Sequence, residues 1–244
     1  MALKRRPPSS NRSSPANHLL AALPADDYGR LAPTLRNTPL ELKRVLHKPG
    51  ETIDQVYFPG GGFASVVTVL KDGGMVEVAT IGREGMLGMS AISNGDPSPA
   101  AAMVQAEIDV CYTMSAEAFR QEMARRGAFY DLLTRYGQAM VGVSMQATAC
   151  NAVHSVEQRL SRWLLMAHDR VGKDEFPLTQ EFAAMMLGTS RPTVTVVAST
   201  LQKAGLIKYR RGHVTVVDRE NLEAASCECY QTATDLLKAV TRQS

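Results

Sequence analysis

Hydrophobic and polar residues are arranged in short runs over the first half of the chain. Residues 18–46 suit short helices that are broken by prolines. β-Branched and aromatic residues then gather in runs that end at turns rich in glycine or proline, over residues 56–58, 63–70, 75–81 and 103–114. Short strands separated by such turns predict an antiparallel sandwich or barrel.

The spacing becomes helical after this region. Ser115 suits the N-cap of a helix over residues 116–124. A longer run without proline follows, and it predicts a dimerisation helix to about Val153, a hinge near His154-Ser155 and a second helix over residues 156–168. Periodicity does not distinguish this arrangement from its alternative, a buried core helix in a monomer. The apolar positions at helical spacing in the long run are Tyr130, Leu133, Tyr136, Met140, Val143 and Ala147.

The strongest local pattern lies between residues 178 and 204. Thr179 suits the N-cap of a helix over residues 180–187, which a glycine ends. Thr189-Ser190 suits the N-cap of the next helix, which has Pro192 in its first turn, where a missing N–H costs little. Two helices joined by a short glycine turn are the layout of a helix-turn-helix.

A strand pair over residues 206–209 and 213–217 follows and predicts a wing. The N-terminus of the second helix would present backbone N–H groups, hydroxyl groups and the Arg191 cation to phosphates and base edges. Arg191 is the candidate for bidentate contact with guanine, and the wing arginines are candidates for phosphate contact. The predicted DNA-binding residues are Thr179, Gln180, Thr189, Ser190, Arg191, Thr193, Thr195, Arg210 and Arg211.

The distribution of charge agrees with a nucleic-acid partner. The 244-residue chain has a net charge of only +3, but residues 1–18 and residues 178–219 each carry about +4. Basic segments on a mildly acidic body suit nucleic acid. Residues 1–17, rich in proline and serine, predict a disordered tail. No signal peptide or membrane-spanning run is recognised, so a cytoplasmic location is expected.

Cysteine and histidine spacing matches no metal or catalytic motif. Cys111, Cys150, Cys227 and Cys229 form no C-x-x-C pair, and no histidines are spaced to complete a zinc site. Cys227-x-Cys229 is the one suggestive pair, and reduced structural thiols are expected. Because the sequence also has no nucleophile elbow and no phosphate loop, an enzyme is not expected.

Residues 178–194 and 201–207 resemble the helix-turn-helix signature of the Crp/Fnr family of bacterial transcription regulators. Residues 48–51 are similar to the turn that opens the cyclic-nucleotide-binding-like barrel of that family. The resemblance implies an α+β fold with an N-terminal antiparallel β-roll of jelly-roll type, a long dimerisation helix and a C-terminal winged helix-turn-helix. It also implies an effector-controlled homodimer on near-palindromic double-stranded DNA, with RNA polymerase as a further partner.

The domains expected from this resemblance follow the tail in chain order. They are a β-roll sensor domain over residues 18–126, a dimerisation helix and hinge over residues 127–154, a DNA-binding domain over residues 155–222 and a C-terminal helix or tail over residues 223–244. In the recognition helix, Pro192 and Val196 stand where members that read the usual half-site carry an acidic residue and a second arginine. We therefore do not expect this protein to bind the operator sequence that the family usually binds.

The sensor also departs from the nucleotide-binding members, which use a Gly-Glu pair for the ribose and an arginine for the cyclic phosphate. Residues 97–101 contain no arginine, so cyclic AMP is not the expected effector unless Arg83 substitutes. The candidate effector-pocket residues are Arg83, Glu84 and Ser144, with a solvated turn as the alternative for the first two. No iron–sulfur cluster or haem is expected, because no cysteine precedes Cys111 and no haem-ligand motif is present.

A second interpretation of the whole chain is a small-molecule-binding sensor whose winged helix mediates protein contacts. The basic balance of residues 178–219 favours DNA over this alternative.

Overall fold

The computed structural model describes residues 14–93 and 95–242. Its N-terminal part is a β-roll of short antiparallel strands that follows two short helices, as the sequence predicts. The elements are α1 (His18–Ala21), α2 (Ala25–Leu31), β1 (Arg36–Asn37), β2 (Val45–His47), β3 (Gln55–Pro59), β4 (Phe63–Val69), β5 (Met75–Ile81), β6 (Ala101–Ala106) and β7 (Cys111–Ser115).

Two sheets build the roll, one with the strand order β1-β7-β3 and one with the order β2-β6-β4-β5. The prediction of one strand over residues 103–114 is wrong, because this segment contains both β6 and β7, which belong to different sheets. Between them Ile108 forms an isolated antiparallel bridge with Leu40. The buried Ile108 has exposed acidic neighbours at Glu107 and Asp109, so the chain turns here and passes from one sheet to the other.

The glycine-rich turn between β3 and β4 lies against this crossing. Gly62 has φ +57°, and a Cβ atom there would collide with the carbonyl oxygen of Glu107. Only glycine combines the left-handed backbone with this approach. The turn therefore fixes how closely the two sheets meet.

The N-terminal tail ends earlier than the sequence suggests. Residues 1–13 of the predicted tail lie outside the described residues, but Asn17 is fully buried and caps α1 by accepting hydrogen bonds from the backbone of Leu19 and Leu20. Its Nδ2 donates to the carbonyl oxygens of Pro59 and Gly85, each at 2.8 Å. Because Asn17 satisfies four backbone groups in the roll, it belongs to the folded domain.

Three helices lead out of the roll: α3 (Ala116–Ala124), α4 (Ala128–Val153) and α5 (Val156–Val171). Ser115 caps α3, as predicted. α4 has 26 residues and ends at Val153, with His154 as its C-cap, and Ser155 then caps α5 in a capping box with Gln158. The break between the two helices is at the predicted hinge. No helix in the described part of the chain is both long and apolar enough to cross a membrane.

The C-terminal part is a winged helix-turn-helix followed by two further helices. Its elements are β8 (Glu175–Pro177), α6 (Gln180–Met186), α7 (Arg191–Lys203), β9 (Ile207–Arg210), β10 (His213–Val216), α8 (Arg219–Ala224) and α9 (Cys229–Thr241). The wing has three strands in the order β8-β10-β9, one more than the sequence pattern predicts. β8 is short and contains only one buried residue, Phe176, so the sequence shows no repeated alternation of apolar and polar residues there.

The apolar stripe predicted along α4 faces its own chain. Leu133, Tyr136 and Val143 are buried in the roll-side core. α9 runs antiparallel to α4 and covers a further part of it, with Arg135 Nε donating to the Val240 carbonyl at 3.5 Å. The stripe therefore forms a monomer core, and any dimer contact must use another face of α4.

Candidate nucleic-acid interface and sensor cavity

The N-terminus of α7 is formed by the residues that the sequence pattern singled out. Ser190 Oγ accepts from the backbone N–H of Thr193 at 3.3 Å and lies 2.8 Å from Thr193 Oγ1. Pro192 occupies the first turn, which contains no acidic residue. The helix thus presents a positive dipole end, two hydroxyl groups and a cation at one exposed point.

Arg191 is exposed and paired within its own domain. Its guanidinium Nη1 lies 2.9 Å from Glu181 Oε1, and the side chain of Arg191 is 63% exposed. An exposed pair of this kind is worth about 0–1 kcal/mol, so a stronger partner can displace it. Sequence reasoning missed Glu181 as a neighbour, because only the packing of α6 against α7 brings the two side chains together.

The helix-turn-helix also joins two other predicted residues. Thr195 Oγ1 donates to Gln180 Oε1 at 2.7 Å and contacts the Arg191 carbonyl at 3.0 Å. Both Gln180 and Thr195 therefore stand beside Arg191 on the outer surface. The two other predicted residues of the helix-turn-helix serve local structure. Thr179 caps α6 by accepting from the Phe182 N–H, and the half-buried Thr189 donates its backbone N–H to the Ala184 carbonyl.

The wing presents Arg210 and Arg211 at its tip. Arg210 pairs with His213 across the hairpin, so Arg211 and Gly212 form a two-residue turn, and both have positive φ (50° and 78°). Two consecutive positive φ angles define a type I′ turn, which matches the twist of the strands. Lys208 and His213 are exposed in the same hairpin and add basic groups that the prediction did not include.

Tyr209 connects the wing to the helix-turn-helix by two hydrogen bonds. Its backbone N–H donates to Gln202 Oε1 on α7 at 2.7 Å, and its hydroxyl donates to the Leu178 carbonyl at 2.5 Å. The arginines at the tip are therefore held in a fixed relation to the N-terminus of α7.

The β-roll and α4 together line a partly open cavity of about 260 Å³. Its wall is mostly apolar, and Ser144, one of the three predicted effector residues, lies on it. The Ser144 hydroxyl donates to the Met140 carbonyl at 2.9 Å. Among the described residues that line the cavity, His47 and Tyr136 are the only titratable ones, and burial lowers the pKa of His47. The cavity therefore offers no fixed charge to a ligand.

Tyr136 connects this cavity to the long helix. Its hydroxyl donates to the Met86 carbonyl at 3.1 Å and accepts from the Met86 N–H at 3.2 Å. Burial raises the pKa of Tyr136, so the hydroxyl stays protonated and keeps both bonds. These two hydrogen bonds join the backbone of the cavity wall at Met86 to α4.

Arg83 and Glu84 lie outside this cavity and line a second, larger one of about 630 Å³ between the roll, α5 and α9. Their role as effector-pocket residues stays a prediction. Glu84 Oε1 is 2.7 Å from the guanidinium of the buried Arg170 on α5, and it also accepts from the Gly82 N–H at 3.0 Å. Arg83 reaches the Asp169 carbonyl at 3.4 Å. Both residues follow β5 at the edge of the roll and face α5, so they join two domains. Glu84 is thus an ion-pair partner between the two domains rather than a fully solvated side chain.

The fold brings a histidine to three of the cysteines, although their spacing in the sequence matches no zinc motif. Cys150, His154, Cys227 and Cys229 bring one ligand atom each to within 4.8 Å of one another. The first two lie at the end of α4 and the other two precede or start α9. Sequence spacing could not reveal the cluster, because a complete winged helix separates its two halves.

Two family models match the chain. The model for the cyclic nucleotide-binding domain matches residues 39–126, and the model for the Crp-like helix-turn-helix domain matches residues 158–225. The chain has the domain architecture of a Crp/Fnr transcription regulator. Its cyclic-nucleotide-binding-like domain contains the cavity, and its Crp-like helix-turn-helix domain carries Arg191 and the wing.

Solved structures show the same Crp/Fnr fold. A Crp/Fnr-family transcriptional regulator from Eubacterium rectale has 19% identity and a TM-score of 0.62, with 85% of this chain and 96% of that chain covered. FixK2 from Bradyrhizobium japonicum has 15% identity and a TM-score of 0.61, covering 79% and 98%. A CRP-family transcriptional regulator from Thermus thermophilus has 20% identity and a TM-score of 0.60, covering 78% and 96%. No curated protein matches the chain significantly.

Proposed function

We propose that this Crp/Fnr-type chain acts as a homodimer that binds a near-palindromic operator and is controlled by an effector in the β-roll. The observation that carries the proposal is the exposed N-terminus of α7, where Arg191, Thr195 and Gln180 stand together. Each of these side chains can donate or accept hydrogen bonds at base edges.

The roles of the interface residues follow from their positions. Arg191 would leave Glu181 and contact guanine, while Thr195 and Gln180 would contact an adjacent base. Ser190, Thr193, Thr179 and Thr189 would position the helix on phosphates, since hydroxyl groups and backbone N–H groups at helix N-termini bind them well. Arg210 and Arg211 would contact the backbone beyond the major groove and add affinity without sequence information.

Dimer formation is supported by an exposed face of α4. Residues 134, 138, 141, 145, 148 and 152 are all exposed, and they alternate in steps of four and three. Val141 and Met145 stand in the middle of this stripe and are 56% and 68% exposed. Steps of four and three are the spacing of a two-helix coiled-coil seam, and Val141, Met145 and Ala152 are the apolar members of this stripe. We assign this face, which differs from the buried stripe predicted from periodicity, to the second subunit.

The effector we propose is a small uncharged molecule. The cavity between the β-roll and α4 is largely apolar, and a cyclic phosphate bound in it would have no arginine or lysine to compensate its charge. Added cyclic AMP should therefore leave the thermal unfolding midpoint unchanged. A concentration-dependent increase in that midpoint would contradict this part of the proposal.

The deciding experiment is selection of bound fragments from sheared genomic DNA, with the full chain and with Arg191→Ala. Lys71→Ala is a matched control, because Lys71 is an exposed cation in the β4–β5 turn of the sensor. We expect the parent and Lys71→Ala to enrich one near-palindromic motif, and Arg191→Ala to lose preference at one base pair per half-site, by about 1–3 kcal/mol.

Failure to enrich any motif, with or without effectors, would favour the alternative in which the winged helix mediates protein contacts. At an enriched promoter, RNA polymerase is the proposed protein partner, and a cytoplasmic location is part of the same proposal. Transcription in vitro from that promoter would show whether the protein activates or represses.

A further inference from the structure

Three cysteines and a histidine meet where the long helix ends. Cys150 lies in the last turn of α4, and His154 follows it by four residues, so both side chains lie on one side of the helix end. Cys227 precedes α9 and Cys229 starts it. The three cysteines are buried and the histidine is half-buried.

The distances within this group match one metal ion. Cys150 Sγ and Cys227 Sγ are 3.5 Å apart, and Cys229 Sγ is 3.5 Å from His154 Nδ1. A tetrahedral zinc ion with Zn–S bonds of about 2.3 Å holds its sulfur ligands roughly 3.8 Å apart. Three sulfur atoms and one imidazole nitrogen are also a ligand set that zinc uses in structural sites.

We propose that Cys150, His154, Cys227 and Cys229 form a Cys₃His site for Zn²⁺ that fastens the end of α4 to the start of α9. The site shares no residue with the DNA interface or with the sensor cavity. It is therefore independent of the proposed function.

The surroundings of the four ligands support this assignment. Glu228 Oε2 lies 3.3 Å from His154 Nε2, so the carboxylate can accept a hydrogen bond from Nε2–H and leave Nδ1 free for the metal. A carboxylate behind the histidine is the usual outer partner in zinc sites. Gln146 Nε2 donates to Cys229 Sγ at 3.0 Å, which suits a thiolate.

The location gives the site a mechanical role. The DNA-binding domain lies between the two pairs of ligands along the chain, and one of the ligands is the residue at the break between α4 and α5. Metal binding would therefore hold both ends of that domain on the long helix. A metal ion held in this way would restrict motion at the break between α4 and α5. It would also stabilise the folded state by the free energy of metal binding.

The test is metal analysis of the full chain, purified with a non-thiol reductant and without chelator, then dialysed with Zn²⁺. We expect about one zinc ion per chain in the parent and in Cys111→Ser. Cys111 is a matched control, because it is a buried cysteine in β7 outside the cluster. Cys229→Ser and His154→Gln should lose most of the bound zinc. Equal loss in Cys111→Ser would contradict the assignment.

A second measurement does not depend on the variants folding. Co²⁺ titrated into the metal-free parent should produce the intense visible absorption of a tetrahedral thiolate site, saturating near one equivalent, and Zn²⁺ should displace it. If reduced parent protein binds neither metal stoichiometrically, the proposal is overturned. A Cys150–Cys227 disulfide, mapped by alkylation after the reductant is removed and oxidised glutathione is added, would then assign the pair to redox chemistry.

Discussion

The indole Nε1 of Trp163 donates a hydrogen bond to Oε1 of Glu77, with 2.9 Å between the two atoms. Trp163 belongs to α5, just after the break that ends the long helix, and Glu77 belongs to β5 of the sensor. Ser65 Oγ donates to the other carboxylate oxygen, and the ring of Phe63 lies edge-on to Trp163 with 6.0 Å between centroids. This polar contact within an aromatic group joins the DNA-binding domain to the sensor sheet.

Glu77→Gln is expected to flatten the pH dependence of stability. Burial raises the pKa of Glu77 above its usual range, although its hydrogen bonds to Ser65 and Trp163 oppose this effect. The folded protein therefore holds a proton that the unfolded chain has already released. The free energy of unfolding falls as pH rises from the ordinary glutamate pKa through the raised one. Glutamine cannot ionise, but its carbonyl oxygen can still accept from Trp163.

The measurement is urea denaturation of both proteins between about pH 5 and 8. Glu107→Gln is the control, since Glu107 is an exposed glutamate in the turn between β6 and β7. We expect it to keep the parent's profile. Parallel profiles for the parent and Glu77→Gln would show that Glu77 releases no proton in this range.

The features predicted correctly from the sequence depend on hydrogen bonds that close within one helical turn. Ser115, Thr179 and Ser190 each cap the helix that was expected to follow them, and Pro192 stands in the first turn of α7. These signals are local, so a single sequence reveals them. The helix-turn-helix was predicted well for this reason.

The features that the sequence did not reveal depend on tertiary contacts, that is, on which helix face is buried and which distant residue each side chain contacts. The periodic stripe on α4 that includes Leu133 is buried inside the monomer, and the stripe around Met145 is the exposed one. Glu84 pairs with Arg170, a residue 86 positions away, and this partner is not visible in the local sequence. His154 meets Cys229 across 75 positions. Periodicity reports amphipathic character but not the tertiary partner.

Glu181→Gln is expected to increase the affinity for the selected operator by a few-fold. The change removes the carboxylate that now holds Arg191 at 2.9 Å and also a negative charge beside the DNA backbone. The pair is exposed and worth about 0–1 kcal/mol in each subunit, which sets the size of the effect. Fluorescence anisotropy with labelled operator measures it. Glu220→Gln removes the same charge from α8, and an equal gain there would mean that only net charge matters.

Arg211→Asn is expected to stabilise the protein and weaken DNA binding at the same time. Arg211 has φ 50°, a left-handed conformation that costs arginine about 1 kcal/mol and that asparagine adopts more easily. Losing one phosphate contact per subunit should make the salt dependence of binding shallower by about 0.9 per contact. Arg210→Asn, in the adjacent strand position, should reduce the salt dependence without the gain in stability. If Arg211→Asn changes stability alone, this wing residue does not contact phosphate.

Met145→Glu is expected to convert the dimer to a monomer. Met145 is 68% exposed in the single chain and lies one step from Val141 on the exposed face of α4. A seam formed there would bury two carboxylates against each other and against apolar side chains, which costs several kcal/mol. Size-exclusion chromatography with light scattering measures the mass of the particle.

The matched control for this change is Gln121→Glu, which adds the same charge at an exposed position of α3. It should leave the mass unchanged. The Met145→Glu monomer should keep the circular dichroism of the parent and lose affinity for the two-half-site operator much more than for a single half-site, because only the dimer can engage both half-sites at once. A dimer of unchanged stability in Met145→Glu would exclude this face of α4 as the subunit interface.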